Sequence, residues 1–306
     1  MDALRTKLSP EDVNFIVYHS ECSDGFGAAL CGYLTSKTIT FYPGYFTPNR
    51  DDQKLMEQLE KHKSESKEPI NLLILDFSYS RDFMIKLSKF VDKLLLLDHH
   101  ESAEKDIGDL DFCYFESNRS GCTLAWEYFM GNTDYPELLI RIEDRDLWRW
   151  QVPQNKEFTS AFYNLVPFDF GAYKSFIDNP DLIRDCISQG SALLKYISIQ
   201  VEKKASTCET VMTKSGKTIG ILNLTENGSE CGEFLTVNKG YDFCIVWNYN
   251  HKNNTIKGGI RSAQGTQNDC SKLGKMLGGG GHFNASGFNT KLDIVELIKT
   301  LEGLDL

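Results

Sequence analysis

The sequence has no hydrophobic run long enough to cross a membrane and no excess of positive charge. No apolar stretch approaches the ~18 residues that a spanning helix requires, and the opening residues lack the apolar core of a signal peptide. We therefore expect a cytoplasmic protein with no membrane contact. A formal net charge of −10 disfavours a general nucleic-acid coat protein, because the overall field would repel phosphates.

The sequence also lacks the paired cysteines of a zinc module or a disulfide framework. Its nine cysteines are an odd number and contain no Cys-x-x-Cys pair, so we expect most of them to be buried small hydrophobic residues. What remains is an ordinary globular composition, 41% hydrophobic and 25% charged. A length of 306 residues favours two domains over one.

Short apolar runs alternate with amphipathic helical stretches in the first half of the chain. This pattern predicts an α/β fold with a mainly parallel sheet and helices on both faces. A long helical run over 181–204 predicts a linker helix, and the stretch before it, at 168–181, is polar and uneven. Alternating strands and helices follow. We therefore divide the chain into a first domain over 1–180, the linker, and a smaller α/β domain over 205–306.

Three apolar runs in the first half end in side chains that can bind metal ions. His19 follows the run 15–18, Asp76 follows 72–75, and Asp98, His99 and His100 follow 94–97. Because the carboxyl ends of parallel strands meet at one edge of a sheet, we expect these side chains to converge. Asp24, in the turn after the first run, and Asp146 or its rival Asp144 add carboxylates. A single Asp often only caps a helix or turn, but several at one edge indicate a metal site.

The ligand types in this cluster indicate the ions and the chemistry. Carboxylates mixed with imidazoles suit Mn²⁺ or Mg²⁺, and more than four such ligands indicate two ions. Two neighbouring ions can clamp a phosphoryl group and make a hydroxide from bound water. The cluster therefore predicts hydrolysis of a phosphoester or a phosphoanhydride.

Four consecutive glycines stand in the second half of the chain, at 278–281, directly before His282. Their bare backbone lets a ligand approach closely and exposes amide donors to a phosphate or a base. A flexible hairpin is the alternative, although a plain turn needs only one or two glycines.

These motifs together resemble those of the DHH phosphoesterases, the superfamily of RecJ nucleases, oligoribonucleases and family-II pyrophosphatases. The segment 98–100 is similar to the Asp-His-His motif that names the superfamily. Asp76, Asp146 and the pair His19 with Asp24 are similar to its other motifs. The resemblance covers nearly the whole chain.

The second half resembles DHHA1, the carboxy-terminal domain of one subgroup of this superfamily. The similarity lies in two segments, Arg261-Ser262 and Gly279-Gly280-Gly281-His282, which resemble the signature that grips the substrate. It implies that Arg261 stabilises charge on the phosphate during catalysis, and that Ser262 and the glycine segment bind the substrate.

The resemblance implies further roles, carried over by position. Two Mn²⁺ ions, with Mg²⁺ as the alternative, would be bridged by Asp76 and held by His19, Asp24, Asp76, His99 and Asp146, with Cys22 as a sixth candidate ligand. His100 would donate a hydrogen bond to the phosphate, and Asp98 would orient one of the imidazoles. Ser120 and Gly121, which open a predicted helix, would meet the same phosphate. Arg119 either adds charge there or is an ordinary surface arginine.

The first motif departs from the family pattern at one position. The pattern His-x-x-x-Asp-x-Asp is one residue longer, and Cys22 stands where its first carboxylate belongs. A thiolate is softer than a carboxylate, so this position binds metal weakly, prefers a different metal, or borrows a water. Cys22 is either a direct ligand or a reduced thiol beside the site.

We therefore predict a metal-dependent phosphodiesterase that hydrolyses short oligonucleotides or linear or cyclic dinucleotides, using a water activated by two metal ions. One alternative is a pyrophosphatase or polyphosphatase, and another is a regulatory module that binds a nucleotide without cleaving it. Trp148 and Trp150 either stack on a base or pack in the core. A homodimer is compatible with the sequence, which leaves the oligomeric state open.

Overall fold

The computed structural model describes residues 1–45, 51–66 and 68–305. The chain forms two compact units, Met1–Leu194 and Lys195–Leu306. The helix that contains the predicted linker runs from Asp181 to Ala205. Across the described residues, we find no helix that combines the length and the apolar character needed to cross a membrane.

A five-stranded sheet forms the centre of the first unit. Its strands have the order β2-β1-β3-β4-β5, with the bounds β1 Phe15–His19, β2 Thr40–Gly44, β3 Asn71–Leu75, β4 Lys93–Asp98 and β5 Cys113–Phe115. Every neighbouring pair is parallel, which confirms the predicted α/β fold. The helices are α1 Asp2–Lys7, α2 Ser23–Thr35, α3 Asp51–Ser66, α4 Arg81–Phe90, α5 Glu101–Ile107, α6 Gly121–Met130, α7 Glu137–Asp146, α8 Asn155–Leu165, α9 Phe170–Asp178 and α10 Asp181–Ala205.

The central strands are apolar along their whole length because helices cover both faces of the sheet. In β3, Leu72 and Ile74 are buried with α3 and α4 on one face. Leu73 and Leu75 are buried with α2, α6 and α7 on the other face. Full burial of one such side chain contributes about 1.5–3 kcal/mol. A shift of one residue would exchange the two faces, so the alternating contacts help to fix the register.

The strand order of the first sheet reverses at one point. β1 lies between β2 and β3, so the strand order reverses there. Open α/β sheets bind ligands outside the carboxyl ends of their strands at such a reversal. His19 is the last residue of β1, and Asp76 follows β3 directly. The two predicted metal ligands therefore stand where this topology favours a ligand site.

α2 follows β1 and brings Asp24 to the same edge. Its ten residues from Ser23 to Gly32 are all buried, which is typical of a helix enclosed by other elements. α2 packs against β1, α6 and α7. The approach to α6 is close, because a side chain at Gly27 would place its Cβ 3.1 Å from the Cβ of Cys122.

A six-stranded sheet forms the centre of the second unit. Its order is β10-β11-β9-β8-β7-β6, and every neighbouring pair is antiparallel except β7 with β8. The elements are β6 Glu209–Met212, β7 Thr218–Asn223, α11 Gly228–Glu233, β8 Phe243–Asn250, β9 Thr255–Arg261, α12 Cys270–Met276, β10 Gly280–Gly281, β11 Ala285–Thr290 and α13 Ile294–Glu302. One core includes residues of α12 and α13, and a second includes the end of α10 and α11. A smaller α/β unit was expected here.

One helix lies where the sequence pattern gave no sign of it. The polar and uneven stretch at 168–181 contains α9, Phe170–Asp178. Asp169 caps this helix by accepting a hydrogen bond from the Ala172 amide at 2.8 Å, and the ring of Phe170 stacks on Phe26 of α2 at a centroid distance of 4.7 Å. Long-range packing therefore supports this helix, which also buries Tyr173 and Phe176.

Candidate metal centre

Asp76 lies at the centre of the predicted cluster. Its side chain is 1% exposed, with Oδ1 3.0 Å from His99 Nε2 and Oδ2 3.3 Å from His19 Nδ1. The backbone of Asp76 is left-handed, with φ of 54°. Asp tolerates this conformation better than most residues, but it still costs free energy. The fold thus holds one carboxylate between two imidazoles from neighbouring strand ends.

The potential ligand atoms form two groups that meet at Asp76. We call the first the Cys22 half-site: ligand atoms of His19, Cys22 and Asp76 lie within 4.8 Å of one another. We call the second the Asp24 half-site: ligand atoms of Asp24, His99 and Asp146 lie within 4.8 Å of one another. All six predicted metal ligands therefore come together, although they derive from four separate parts of the chain.

The amino end of α6 holds Asp24. Ser120 Oγ donates to Asp24 Oδ1 at 2.6 Å, the Gly121 amide donates to Oδ2 at 2.6 Å, and the Cys122 amide donates to Oδ1 at 3.0 Å. Ser120 and Gly121, which we expected to meet a substrate phosphate, thus contact a carboxylate of the protein. No residue pattern in the sequence indicates this contact. Their role toward a substrate stays a prediction.

Glu143 is a further residue of the site that the sequence reasoning missed. It accepts hydrogen bonds from the Ser120 amide at 3.0 Å and from the Thr123 hydroxyl, and it forms an ion pair with Arg149 at 2.9 Å. Glu143 therefore fixes the start of α6. The sequence signal for Glu143 was its position three residues before Asp146, which places both side chains on the same face of α7.

Asp98 contacts the two histidines that follow it. Its Oδ1 lies 2.7 Å from His100 Nδ1 and accepts from the His99 amide at 2.7 Å. Its Oδ2 is buried and has no hydrogen-bond partner within the described residues. Of the two imidazoles, His100 is the one whose ring contacts Asp98 at hydrogen-bond distance. That Asp98 orients this ring for catalysis stays a prediction.

Asp144 and Asp146 have different surroundings. Asp144 accepts from the Gln151 amide at 2.7 Å and from Asn155 Nδ2 at 2.7 Å, so both of its oxygens hold the turn after α7. Asp146 Oδ2 instead lies 3.5 Å from His99 Nε2. Of these two rivals, the geometry places Asp146 in the Asp24 half-site.

Trp148 and Trp150 occupy the turn that follows Asp146. Both are half-buried and left-handed, each with φ of 54°, and their rings meet edge to face at 5.0 Å. The Arg145 guanidinium lies 4.0 Å from the centroid of the Trp148 ring, and Lys156 Nζ lies 4.8 Å from that of Trp150. These contacts suit packing within the fold, and base stacking stays a prediction.

Arg119 makes its contacts within the fold. Its guanidinium pairs with Glu127, donates to the Thr123 carbonyl at 3.0 Å and bonds the Tyr135 hydroxyl. The side chain is 18% exposed. These contacts within the fold differ from both roles considered for Arg119, which were an ordinary surface arginine and a contact with the phosphate. Substrate binding by Arg119 stays a prediction.

The predicted substrate residues of the second unit also have defined contacts. Arg261 Nη2 donates to Ser229 Oγ at 2.8 Å, and Nη1 donates to the Ile260 carbonyl at 2.9 Å. The buried hydroxyl of Ser262 donates to the Asn268 carbonyl at 2.7 Å and accepts from Asn284 Nδ2 at 3.0 Å. The Ser262 hydroxyl therefore links the loop between β9 and α12 to the turn between β10 and β11.

The glycine segment allows a close approach of two backbones. A Cβ on Gly279 would lie 2.0 Å from the Gly287 carbonyl oxygen, so a larger residue would displace β11. Gly280 and Gly281 form β10, which pairs antiparallel with β11, and His282 exchanges backbone hydrogen bonds with Ala285 in the tight turn. A hairpin explains these glycines structurally. Binding of substrate by Gly279, Gly280, Gly281 and His282 stays a prediction.

The electrostatics of the centre favour bound cations. Burial raises the pKa of Asp24 to about 8, and the nearby charges of Asp76 and Asp146 act in the same direction. Burial also opposes a charged His99, yet the neighbouring carboxylates raise its pKa well above the ordinary value. Hydrogen bonds from His19 and His99 hold the pKa of Asp76 well below its ordinary value despite burial. Protons and imidazolium charge thus offset the carboxylates when no ion is bound.

These residues fit a pair of divalent cations. Asp24 and Asp76 are 1% exposed and Asp98 is fully buried, and buried carboxylates are costly unless positive charge compensates them. A mixture of carboxylate, imidazole and one thiol can coordinate Mn²⁺, Mg²⁺ or a softer divalent ion. Asp76, with one oxygen toward each half-site, would be shared by both ions.

The comparisons with known proteins agree with this fold. No family model matches the chain. A DHH domain from a member of the s1p family of ribosomal proteins has a TM-score of 0.63, at 14% identity, and the match covers 98% of this chain and 90% of that chain. RecJ from Thermus thermophilus, solved in complex with Mn²⁺, has a TM-score of 0.51 at 12% identity, and the match covers 98% of this chain and 52% of RecJ.

The parallel sheet, the second mixed sheet and these structural matches define a protein with the DHH-domain fold. The sequence comparison is more specific. The uncharacterized protein R106 of Acanthamoeba polyphaga mimivirus is 30% identical over an alignment of 295 residues, which covers 92% of this chain and 68% of that protein. The chain belongs to the same family as R106.

Proposed function

We propose that this protein is a metal-dependent phosphodiesterase that hydrolyses short oligonucleotides or linear or cyclic dinucleotides. The observation that carries the proposal is the position of Asp76, whose two oxygens lie 3.0 Å from His99 and 3.3 Å from His19. A carboxylate shared in this way is what a two-ion phosphoesterase requires. The fold shared with RecJ, which was solved with Mn²⁺, supports Mn²⁺ as the first ion to test.

Bound divalent ions would neutralise phosphate charge and lower the pKa of an attacking water. The protein would contribute positioning: Asp98 holds His100 through the contact of 2.7 Å at Nδ1, so that the other ring nitrogen can donate to a phosphate oxygen. Arg261, in the second unit, would bind the substrate phosphate, because a guanidinium can pair with it bidentately. Asp146 and Asp24 would complete the ligands of one ion.

The direct test is a hydrolysis panel with the purified full-length chain. It compares a dinucleotide, a longer oligonucleotide, a cyclic dinucleotide and pyrophosphate, each with Mn²⁺, with Mg²⁺ and with chelator. We expect hydrolysis of a dinucleotide or short oligonucleotide with metal and none with chelator. His99→Ala is expected to lower the rate at least about a hundredfold, the loss typical of removing a group that stabilises transition-state charge.

A matched control separates this effect from damage to the fold. His251 stands in the exposed turn between β8 and β9, so His251→Ala should keep the wild-type rate. Activity on pyrophosphate alone would replace the proposal with a pyrophosphatase. Binding of dinucleotides without hydrolysis under any metal condition would instead favour a non-catalytic nucleotide-binding module.

A further inference from the structure

The two half-sites offer chemically different ligands. The Cys22 half-site contributes one imidazole, one thiol and one oxygen of Asp76, whereas the Asp24 half-site contributes one imidazole and carboxylate oxygens. We propose that the Cys22 half-site selects a borderline-soft ion such as Zn²⁺ or Co²⁺, while the Asp24 half-site takes Mn²⁺ or Mg²⁺. The inference rests on the metal centre of the proposed function, and it makes that centre a mixed one.

The backbone places Cys22 at the site. β1 ends at His19, Glu21 is left-handed with φ of 56°, and Cys22 is the extended N-cap of α2. The turn is tight, because a Cβ on Gly25 would lie 2.4 Å from the His19 carbonyl oxygen. A short turn of this kind brings the third residue after the strand back beside the last one. The thiol of Cys22 therefore lies within 4.8 Å of the ligand atoms of His19 and Asp76.

The chemistry of the three ligands gives the selectivity. Thiolate and imidazole favour Zn²⁺ and Co²⁺ over Mn²⁺ and Mg²⁺, which prefer carboxylates and water. Coordination to a divalent ion lowers the pKa of a thiol so that it releases its proton to water, and half-buried Cys22 can therefore bind the ion as a thiolate. The Asp24 half-site has Asp24, Asp146 and Asp76 around a single imidazole, which is the harder set. Asp76 would then bridge two different ions.

Cobalt provides a test that requires no turnover. The metal-free full-length protein is titrated with Co²⁺ under reducing, oxygen-free conditions while its near-ultraviolet absorption is recorded. Coordination by a thiolate gives a sulfur-to-cobalt charge-transfer band, which nitrogen and oxygen ligands do not give. We expect this band to saturate at one equivalent of Co²⁺ per chain. Bound Co²⁺ without the band would overturn the proposal, as would failure of Co²⁺ to bind.

Three variants assign the band to its residue. Cys22→Ser should abolish the charge-transfer band. Cys113 is a half-buried thiol on β5 of the same unit, and Cys113→Ser should keep the band. Cys22→Asp should also abolish it and should lower the preference for Zn²⁺ over Mn²⁺ by roughly tenfold or more, the scale on which changes around a metal alter its affinity. A band that survives in Cys22→Ser, or an unchanged preference in Cys22→Asp, would contradict the proposal.

The outcome is independent of the hydrolysis panel. A thiolate band in a protein that hydrolyses none of the substrates would support the mixed centre and remove the proposed function. Hydrolysis without the band would leave the function in place and return Cys22 to the role of a reduced thiol beside the site.

Discussion

Asp76 combines a strained backbone conformation with the contacts at the centre of the site. A left-handed backbone costs a residue other than glycine about 1–3 kcal/mol, and the fold tolerates this cost at φ of 54° directly after a fully buried strand. The Asp76 amide donates to the Leu97 carbonyl at 2.9 Å, which ties the turn to β4. The strain therefore coincides with the contacts to His19 and His99, as is common where geometry serves function.

Asp24 gives a prediction about pH. Burial holds its pKa at about 8, so below that pH the carboxyl of the metal-free protein is protonated. An incoming cation must displace this proton, and the raised pKa of His99 adds to the same requirement. We therefore expect the affinity for Mn²⁺ to rise with pH through about 8, the pKa of Asp24.

Calorimetric titrations with Mn²⁺ in two buffers of different ionisation enthalpy would measure this effect as protons released per ion bound. In Asp24→Asn the ion should bind more weakly and release fewer protons, because the amide has none to lose. An affinity that is constant across the same pH range would show that Asp24 and His99 are already deprotonated without metal.

At the scale of elements, the start of α6 holds the carboxylate of Asp24, one of the proposed metal ligands. Ser120, Gly121 and Cys122 donate three hydrogen bonds to Asp24, and Glu143 of α7 holds the Ser120 amide. A helix amino end is a natural partner for a carboxylate, because its amides are unpaired and its dipole favours negative charge. Here that partner is Asp24, a proposed metal ligand, and the protein itself holds its carboxylate in place.

The substitution Gly121→Ala tests whether the contact between α6 and Asp24 matters for metal binding. A Cβ there would lie 2.4 Å from Asp76 Cβ and 3.0 Å from Asp24 Oδ2, so Gly121→Ala must displace one carboxylate or the helix. Overpacking of this kind costs about 1–3 kcal/mol. We expect a loss of Mn²⁺ affinity of at least about tenfold, measured by calorimetry, with the helical circular dichroism retained.

Gly171→Ala is the matched control, since Gly171 lies in α9 of the same unit and its Cβ would approach only the Asp169 side chain. It should bind Mn²⁺ as the wild type does. If Gly121→Ala also bound Mn²⁺ normally, the contacts of α6 with Asp24 would be packing contacts without influence on the site.

The elements also show what the sequence could and could not predict. Strands such as β3 are apolar on both faces, and α6 and α12 have clear boundaries in the pattern, so local sequence was sufficient for them. α9 is held by Phe170 against Phe26, a contact between distant parts of the chain. The contact of Ser120 with Asp24 is of the same long-range kind. No pattern of neighbouring residues reports such contacts.

At the scale of the molecule, the predicted ligands could be gathered from the sequence because parallel strands end at one edge. The strand order that puts β1, β3 and β4 side by side was not predictable from residue patterns, and it is what makes His19, Asp76 and His99 neighbours. The length of the chain likewise favoured two domains, while the helix α10, Asp181–Ala205, extends past the point where the two units divide.

The two units give the last prediction. Each has cores of its own, so we expect two transitions in thermal unfolding. All six proposed metal ligands belong to Met1–Leu194, and an ion that binds only the folded state at a hundred times its dissociation constant stabilises it by about 2.7 kcal/mol. Saturating Mn²⁺ should therefore raise one transition by calorimetry and leave the other unchanged, and Asp76→Asn should remove the shift. An equal shift in Asp76→Asn would mean that the ions bind elsewhere on this acidic protein.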